Sequence, residues 1–289
     1  MHVADTAAVA WWIWPIALFF ASFALGVVAV LSGVGGGVLF VPIVGSFFPF
    51  HLDFVRGTGL LLALSGALSA APSLLASGLA SLRLAMPFAL VGSVASIAGA
   101  LLGLALPAAL MQTALGFTIL AIAALIWLSK RSEYPEVATP DRLATALRLN
   151  GVYQDPVDSR EVRWQTHRTP AGLVLFAGIG MLAGMFGLGA GWANVPVLNL
   201  VLGAPLKVSV ATSGVVLSVV DTSAAWIYLH SGAVLPMIAV PSIVGVMLGA
   251  KIGARLLRVA PAATVRKLVI AMLAIAGARS LLKGTGLWI

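Results

Sequence analysis

The chain has 289 residues, 61% of them apolar and only 9% charged, with a mean hydropathy of +1.08. A soluble domain carries about 45–50% apolar and about 25% charged residues, so polar surface is too scarce here to coat a globule in water. The 17 Lys and Arg against 9 Asp and Glu (net +8) are read as loop charges that orient a membrane protein, not as a nucleic-acid surface, and the lack of cysteine excludes disulfides, thiolate catalysis and Cys-ligated metals.

The N-terminal MHVADTAAVAWWIW has no positively charged n-region, so a secretory signal peptide is not expected, and Trp11, Trp12 and Trp14 read as an interfacial belt. Two glycine-rich stretches then align. SGVGGGVLFVP at Ser32–Pro42 matches FGLGAGWANVP at Phe186–Pro196, pairing Gly33, Gly35, Gly37, Val41 and Pro42 with Gly187, Gly189, Gly191, Val195 and Pro196 at an offset of 154. The same gapless offset pairs Thr58 with Thr212, Ser77-Gly78 with Ser231-Gly232, Pro87 with Pro241, Gly99 with Gly253 and Pro107 with Pro261. A register held over that length marks a tandem duplication.

In chain order, the first copy predicts a helical hairpin with arms near Trp11–Ser32 and Val38–Phe48, then spans near Gly57–Ala76, Leu84–Leu106 and Ala109–Leu128. The second copy predicts arms near Ala171–Phe186 and Trp192–Leu202, then spans near Val210–Leu229, Val234–Leu256 and Thr264–Leu282. A spanning helix needs about 20 residues, so the second arms are read as half-helices that end near the membrane midplane. Between the copies, Ser129–Thr169 carries seven basic and six acidic residues and predicts a solvated cytoplasmic connector with one short amphipathic helix at Asp141–Leu149.

The fold class is therefore all-α: a polytopic membrane protein of two repeats, each a broken hairpin plus three transmembrane helices, with bounds 1–128, 129–169 and 170–289. The loop Ala105–Ala108 holds no Lys or Arg, whereas its counterpart is flanked by Lys251, Arg255, Arg258, Arg266 and Lys267. Equivalent loops of opposite charge content belong on opposite sides. With the connector inside, fourteen basic residues face the cytoplasm and three face out, which predicts inverted repeats with both termini outside. Inverted repeats are a common build of secondary transporters, and no nucleotide-binding loop is present to power one by hydrolysis.

The glycine runs Gly33-x-Gly35-Gly36-Gly37 and Gly187-x-Gly189-Ala190-Gly191 interrupt apolar stretches and predict helix breaks inside the membrane. Such backbone is tolerated only where it lines a cavity or is buried in protein. A half-helix starting beyond each break presents free N–H groups and a partial positive charge, an anion site built of backbone. The bland alternative is close packing at small residues. Pro42 and Pro196 are read as kinks, and Asn194 as an oxyanion donor or an interhelical hydrogen bond. Thr58 and Thr212-Ser213 open the first full spans, as caps or as donors to a ligand; Arg56 and Lys207 anchor helix ends or draw anions to the entrances. Asp221 is the one acidic residue within a span, with Ala67 at the matching place, and is a candidate for proton coupling or for a structural hydrogen bond.

At these residues the chain resembles the sulfite exporter TauE/SafE family of the toluene sulfonate uptake permease superfamily. The likeness lies in GVGGGVLFVP at Gly33–Pro42, GLGAGWANVPVLNLVLGAPLKVSVATS at Gly187–Ser213, the Ser231-Gly232 turn and the small-residue run Gly245–Ala254, with Ala190 and Trp192 as departures. It implies a carrier of sulfite, sulfonates or related organosulfur anions across the inner membrane; from composition and charge, contact with lipid is expected, and no cofactor or nucleic-acid partner is expected. Weighed against this are a passive anion channel, a carrier of another anion such as a carboxylate, a partner subunit without flux of its own, and a hydrolase using Ser213 or Ser32 with His230. The last is disfavoured because Ser213 and His230 sit roughly 25 Å apart along one helix.

Overall fold

Each apolar run read from the sequence is a helix in the computed structural model, which describes residues 12–32, 36–76, 78–128, 135, 137, 139–154, 161–256 and 262–286. The first copy supplies α1 (Ile13–Ser32), α2 (Gly36–Phe47), α3 (Leu52–Ala76), α4 (Leu82–Ala105) and α5 (Ala108–Leu128). The second supplies α7 (Thr169–Phe186), α8 (Gly191–Pro196) with a π-helical turn at Val197–Val201, α9 (Leu206–His230), α10 (Pro236–Leu256) and α11 (Ala262–Gly284). Among the described residues, five of these helices are long and apolar enough to cross a membrane: α4, α5, α7, α9 and α10. The 12 residues of α2 reach only about 18 Å at 1.5 Å per residue. The run Gly191–Val201 is similarly short, so both second arms are half-helices.

Breaks and ends follow local chemistry. Pro170 stands in the first turn of α7, where its missing N–H costs nothing, and Gly187 ends that helix in the left-handed region (φ 69°). Ser81 caps α4 by accepting from the Leu84 N–H at 3.3 Å. Pro196 cannot donate to the carbonyl one turn back, and the helix widens immediately after it: the Leu202 N–H reaches back five residues to Val197 O at 3.0 Å.

The two copies clasp reciprocally. The first helix of each lies along the fourth helix of the other (α1 on α10, α7 on α4), the third helices α3 and α9 pack together, and so do the fifth helices α5 and α11. Glycines set the directions. Gly245 and Gly249 of α10 meet Phe19 and Phe23 of α1 in ascending order, and Gly92 and Gly103 of α4 meet Phe176 and Met185 of α7 likewise, so both pairs are parallel. Gly116 meets Gly277 while Gly284 meets Thr113, so α5 and α11 run antiparallel. The contacts of Gly57 with Ala233 and of Ser81 with Thr212 place α3 and α9 antiparallel as well.

Charge separates along the bundle. Arg83, Lys207, Lys251 and Lys267 belong to the helix ends near the connector, whereas Arg56, Arg279 and Lys283 lie toward the other end, where Trp14 sits edge-on to Phe48 (6.2 Å) and Phe50 (5.7 Å).

The connector departs from the expected solvated linker. A short helix, α6 (Arg142–Ala146), is followed by an antiparallel hairpin of β1 (Asn150–Gln154) and β2 (Glu161–Gln165). Ala144, Leu149 and Tyr153 are buried in one apolar cluster with Leu84, Phe88 and Leu202 of the bundle. The His167 N–H donates to Leu202 O at 3.0 Å, and Thr169 Oγ1 donates to Asp141 Oδ1 at 2.8 Å. Three apolar side chains with somewhere to go outweigh the segment's mixed surface charge.

Candidate functional site

The start of α2 meets the second glycine break. Gly37, in the first turn of α2, abuts the second break so closely that a Cβ there would lie 2.7 Å from Leu188 O and 2.9 Å from Gly59 O. Gly59 of α3 in turn touches Gly187 O, so α3 runs directly past the end of α7. Gly187 and Gly189 adopt φ of +69° and +71°, the left-handed conformation that glycine alone takes without strain. A Cβ on Gly189 would stand 2.7 Å from Ala63 Cβ and 3.0 Å from Asp221 Oδ2, which joins α3 and α9 to the break from opposite sides.

Around this crossing lie polar atoms without partners. Thr58, Asn194 and Asp221 are fully buried. No hydrogen bond reaches Thr58 Oγ1, Trp192 Nε1, either amide atom of Asn194 or either carboxylate oxygen of Asp221. The Ala190 backbone amide approaches the Asp221 carboxylate without meeting hydrogen-bond geometry. Trp192 packs between the two largest apolar clusters, one formed mainly by α1, α2, α5 and α11 and the other by α4, α7, α8 and α9. A buried polar group without a partner costs about 1–3 kcal/mol. Six such atoms on four residues lie on the segments that meet here or directly beside them.

The residues singled out from the sequence divide. Gly36, Gly37, Gly187, Gly189, Ala190, Gly191 and Asp221 form or flank the crossing, while Gly33 and Gly35 lie outside the described residues. Thr58 is next to Gly59, and Asn194 is one turn into α8, its N–H donating to Ala190 O at 3.2 Å. Thr212 and Ser213 are elsewhere: the Thr212 hydroxyl accepts the Ser81 N–H at 3.1 Å at the start of α4, roughly 14 Å along α9 from Asp221. Neither threonine opens its helix, since α3 starts at Leu52 and α9 at Leu206, a little over one turn earlier than expected.

Arg56 is not an entrance charge. It is buried, paired with Asp53, and donates to Gly103 O (3.1 Å) and Met185 O (3.0 Å) at the ends of α4 and α7. Gly59 and Ala63 were not legible as partners of the crossing, because neither has a like residue at the repeat offset: Gly59 pairs with Ser213 and Ala63 with Leu217.

The family described as "Sulfite exporter TauE/SafE" matches residues 18–280. The chain is also similar to the Probable membrane transporter protein YunE of Bacillus subtilis (strain 168), 27% identical over 132 residues, which is 46% of this chain and 48% of that one. The match thus spans about half the length of that relative. No solved structure matches significantly.

Proposed function

The chain belongs to the TauE/SafE sulfite exporter family, a family of membrane transporters and not of enzymes, and from that premise we propose that it is a secondary carrier moving a small sulfur oxyanion, sulfite or a sulfonate, by alternating access at the crossing of its two broken helices. The observation that carries the reading is the set of buried, unpartnered polar atoms at that crossing: Thr58 Oγ1, Trp192 Nε1, the Asn194 amide and the Asp221 carboxylate. Hydroxyl, indole and amide donors suit the oxygens of a small anion, and Gly37, Gly187 and Gly189 let backbone come close to it.

The opposite directions of α3 and α9, and of α5 and α11, support repeats inverted about an axis in the membrane plane, the arrangement in which two halves exchange conformations around a central site. The charge separation supports a connector on the cytoplasmic side of the inner membrane. The outward-facing Phe20, Phe117, Trp127 and Trp226 are suited to lipid.

Asp221 suits proton coupling. An ionised carboxylate at the crossing would repel an arriving anion by about 4 kcal/mol at 4 Å and an effective dielectric constant near 20. Protonation removes that repulsion, so proton and anion enter together. Flux into liposomes containing only this protein tests the reading. Saturable sulfite flux, competed by other sulfur oxyanions and stimulated by anion on the far side, is expected; conductance without such exchange would mean a channel. Folded protein that moves no sulfur anion would overturn the substrate assignment.

A further inference from the structure

A cavity with a mostly apolar wall lies away from the crossing, at the end of the bundle opposite the connector. It has a volume of about 240 Å³ and is lined by Lys283, Gln112, His51, Ala108, Ala109 and Phe50, among others. Three kinds of donor stand at or beside it. The Lys283 ammonium is held at the wall by donating to Gly45 O at 3.2 Å. Gln112 is 6% exposed, and its Nε2 has no hydrogen-bond partner. The cavity also touches the first turn of α5, where the Met111 N–H is bonded to Pro107 O (3.0 Å) but those of Ala108 and Ala109 come before any intrahelical acceptor.

The surrounding charge is positive. Lys283 and Arg279 stand near the cavity on α11, with Arg279 Nε donating to Ser46 O at 3.0 Å. Asp53 is the acidic residue nearby; it is paired with Arg56 and lies 3.4 Å from His51 Nδ1. An ammonium, a buried amide donor and a 21-residue helix N-terminus, with acceptors in the minority, select an anion with several oxygens. The apolar wall at Phe50 leaves room for a small organic substituent.

We propose that this cavity is a second oxyanion site, which the transported anion occupies at the outer end of its path. The inference rests on the proposed function for the identity of its ligand as cargo. Gln112 and Lys283 hold the anion by direct hydrogen bonds, and the α5 amides complete the cradle.

Equilibrium dialysis of the purified full-length protein in detergent against radiolabelled sulfite, run beside liposome flux, tests it. Wild type is expected to bind at two sites. Gln112→Met and Lys283→Gln each weaken one site by about tenfold or more, the loss of one charge-assisted or buried hydrogen bond, while Asn194→Ala weakens the other. Lys283 sits near the rim, so its variant keeps the measurement valid if Gln112→Met melts early. Unchanged binding in both folded variants would overturn the outer site. If the liposomes carry no sulfite but sulfate or phosphate binds in a Lys283-dependent way, the outer site stands and the carrier reading falls. Sulfite flux with binding indifferent to both substitutions overturns the outer site and leaves the carrier intact.

Discussion

The guanidinium of Arg56 on α3 lies over the ring of Tyr228 on α9, 5.9 Å from its centroid, and both side chains close on the end of α7. The Tyr228 hydroxyl donates to Gly184 O (3.0 Å) and Met185 O (3.2 Å), and Arg56 Nη1 donates to Met185 O. The last carbonyls of a helix have no intrahelical donors. Inside a membrane water cannot serve them, so a buried cation and a phenol do, and the cation also complements the helix dipole. The broken helix is thereby tied to both neighbouring third helices.

Removing either member of this pair should therefore cost stability without touching the crossing. Tyr228→Phe leaves Gly184 O without its hydroxyl donor and is expected to cost about 1–3 kcal/mol. Arg56→Met removes charge-assisted bonds to two helix ends and takes the guanidinium from Asp53, leaving only His51 beside that carboxylate, so its loss should be the larger. Thermal unfolding in detergent measures both. Two melting temperatures equal to that of wild type would show that the pair is not what secures α7.

Much of this fold could be read from residue pattern because hydrophobic runs long enough to span a membrane admit few structures. The offset of 154 located both broken hairpins, and Gly187 and Gly189 do break helix where expected. What escaped depends on partners distant in sequence. Thr212 accepts from Ser81, 131 residues away, and nothing in either local stretch announces it. Pro42 and Pro196 are equivalent by position, yet only Pro196 is followed by a π turn, where Asn199 Nδ2 donates to Ala204 O at 2.9 Å. The β-hairpin was obscured by its charge: Tyr153 is buried in the apolar cluster that also holds Leu84 and Phe88 of α4, while its neighbour Val152 faces outward.

Glycine substitutions separate close packing from mere tolerance. Gly189→Ala must place a Cβ beside Ala63 and Asp221 at a φ of +71°, a conformation that costs an L-residue about 1–2 kcal/mol before any clash. Gly37→Ala meets two backbone carbonyls that cannot move aside cheaply. Both variants should lose flux. Gly178→Ala, on α7 with open space around it, should fold and transport like wild type and gain slightly in helix propensity. Equal flux in all three would mean that the crossing does not move or bind anything.

Asp221→Asn keeps the size of the side chain and removes its ionisation. If the carboxylate carries the proton, the variant should still move sulfite down its own gradient, and an imposed pH gradient should no longer change the rate. In wild type, acid on the anion-loaded side should accelerate transport, because the protonated carboxyl admits the anion. A wild-type rate indifferent to pH gradient would leave Asp221 a structural group packed against Gly189.

The directions of equivalent helices lead to a topology that can be checked chemically. Ala108 begins α5 and Ala262 begins α11, and these helices run antiparallel, with Ser280 Oγ of α11 donating to Gln112 O of α5 at 3.0 Å. Ser280 lies near the end of α11 and Gln112 near the start of α5, so the first residues of the two helices fall at opposite ends of the bundle. The chain has no cysteine of its own. Single cysteines at 108 and 262 should then react with a membrane-impermeant maleimide from opposite sides, position 108 from outside intact cells and position 262 only after permeabilisation. Labelling of both from one side would rule out inverted repeats, and with them the exchange of half-structures on which alternating access depends.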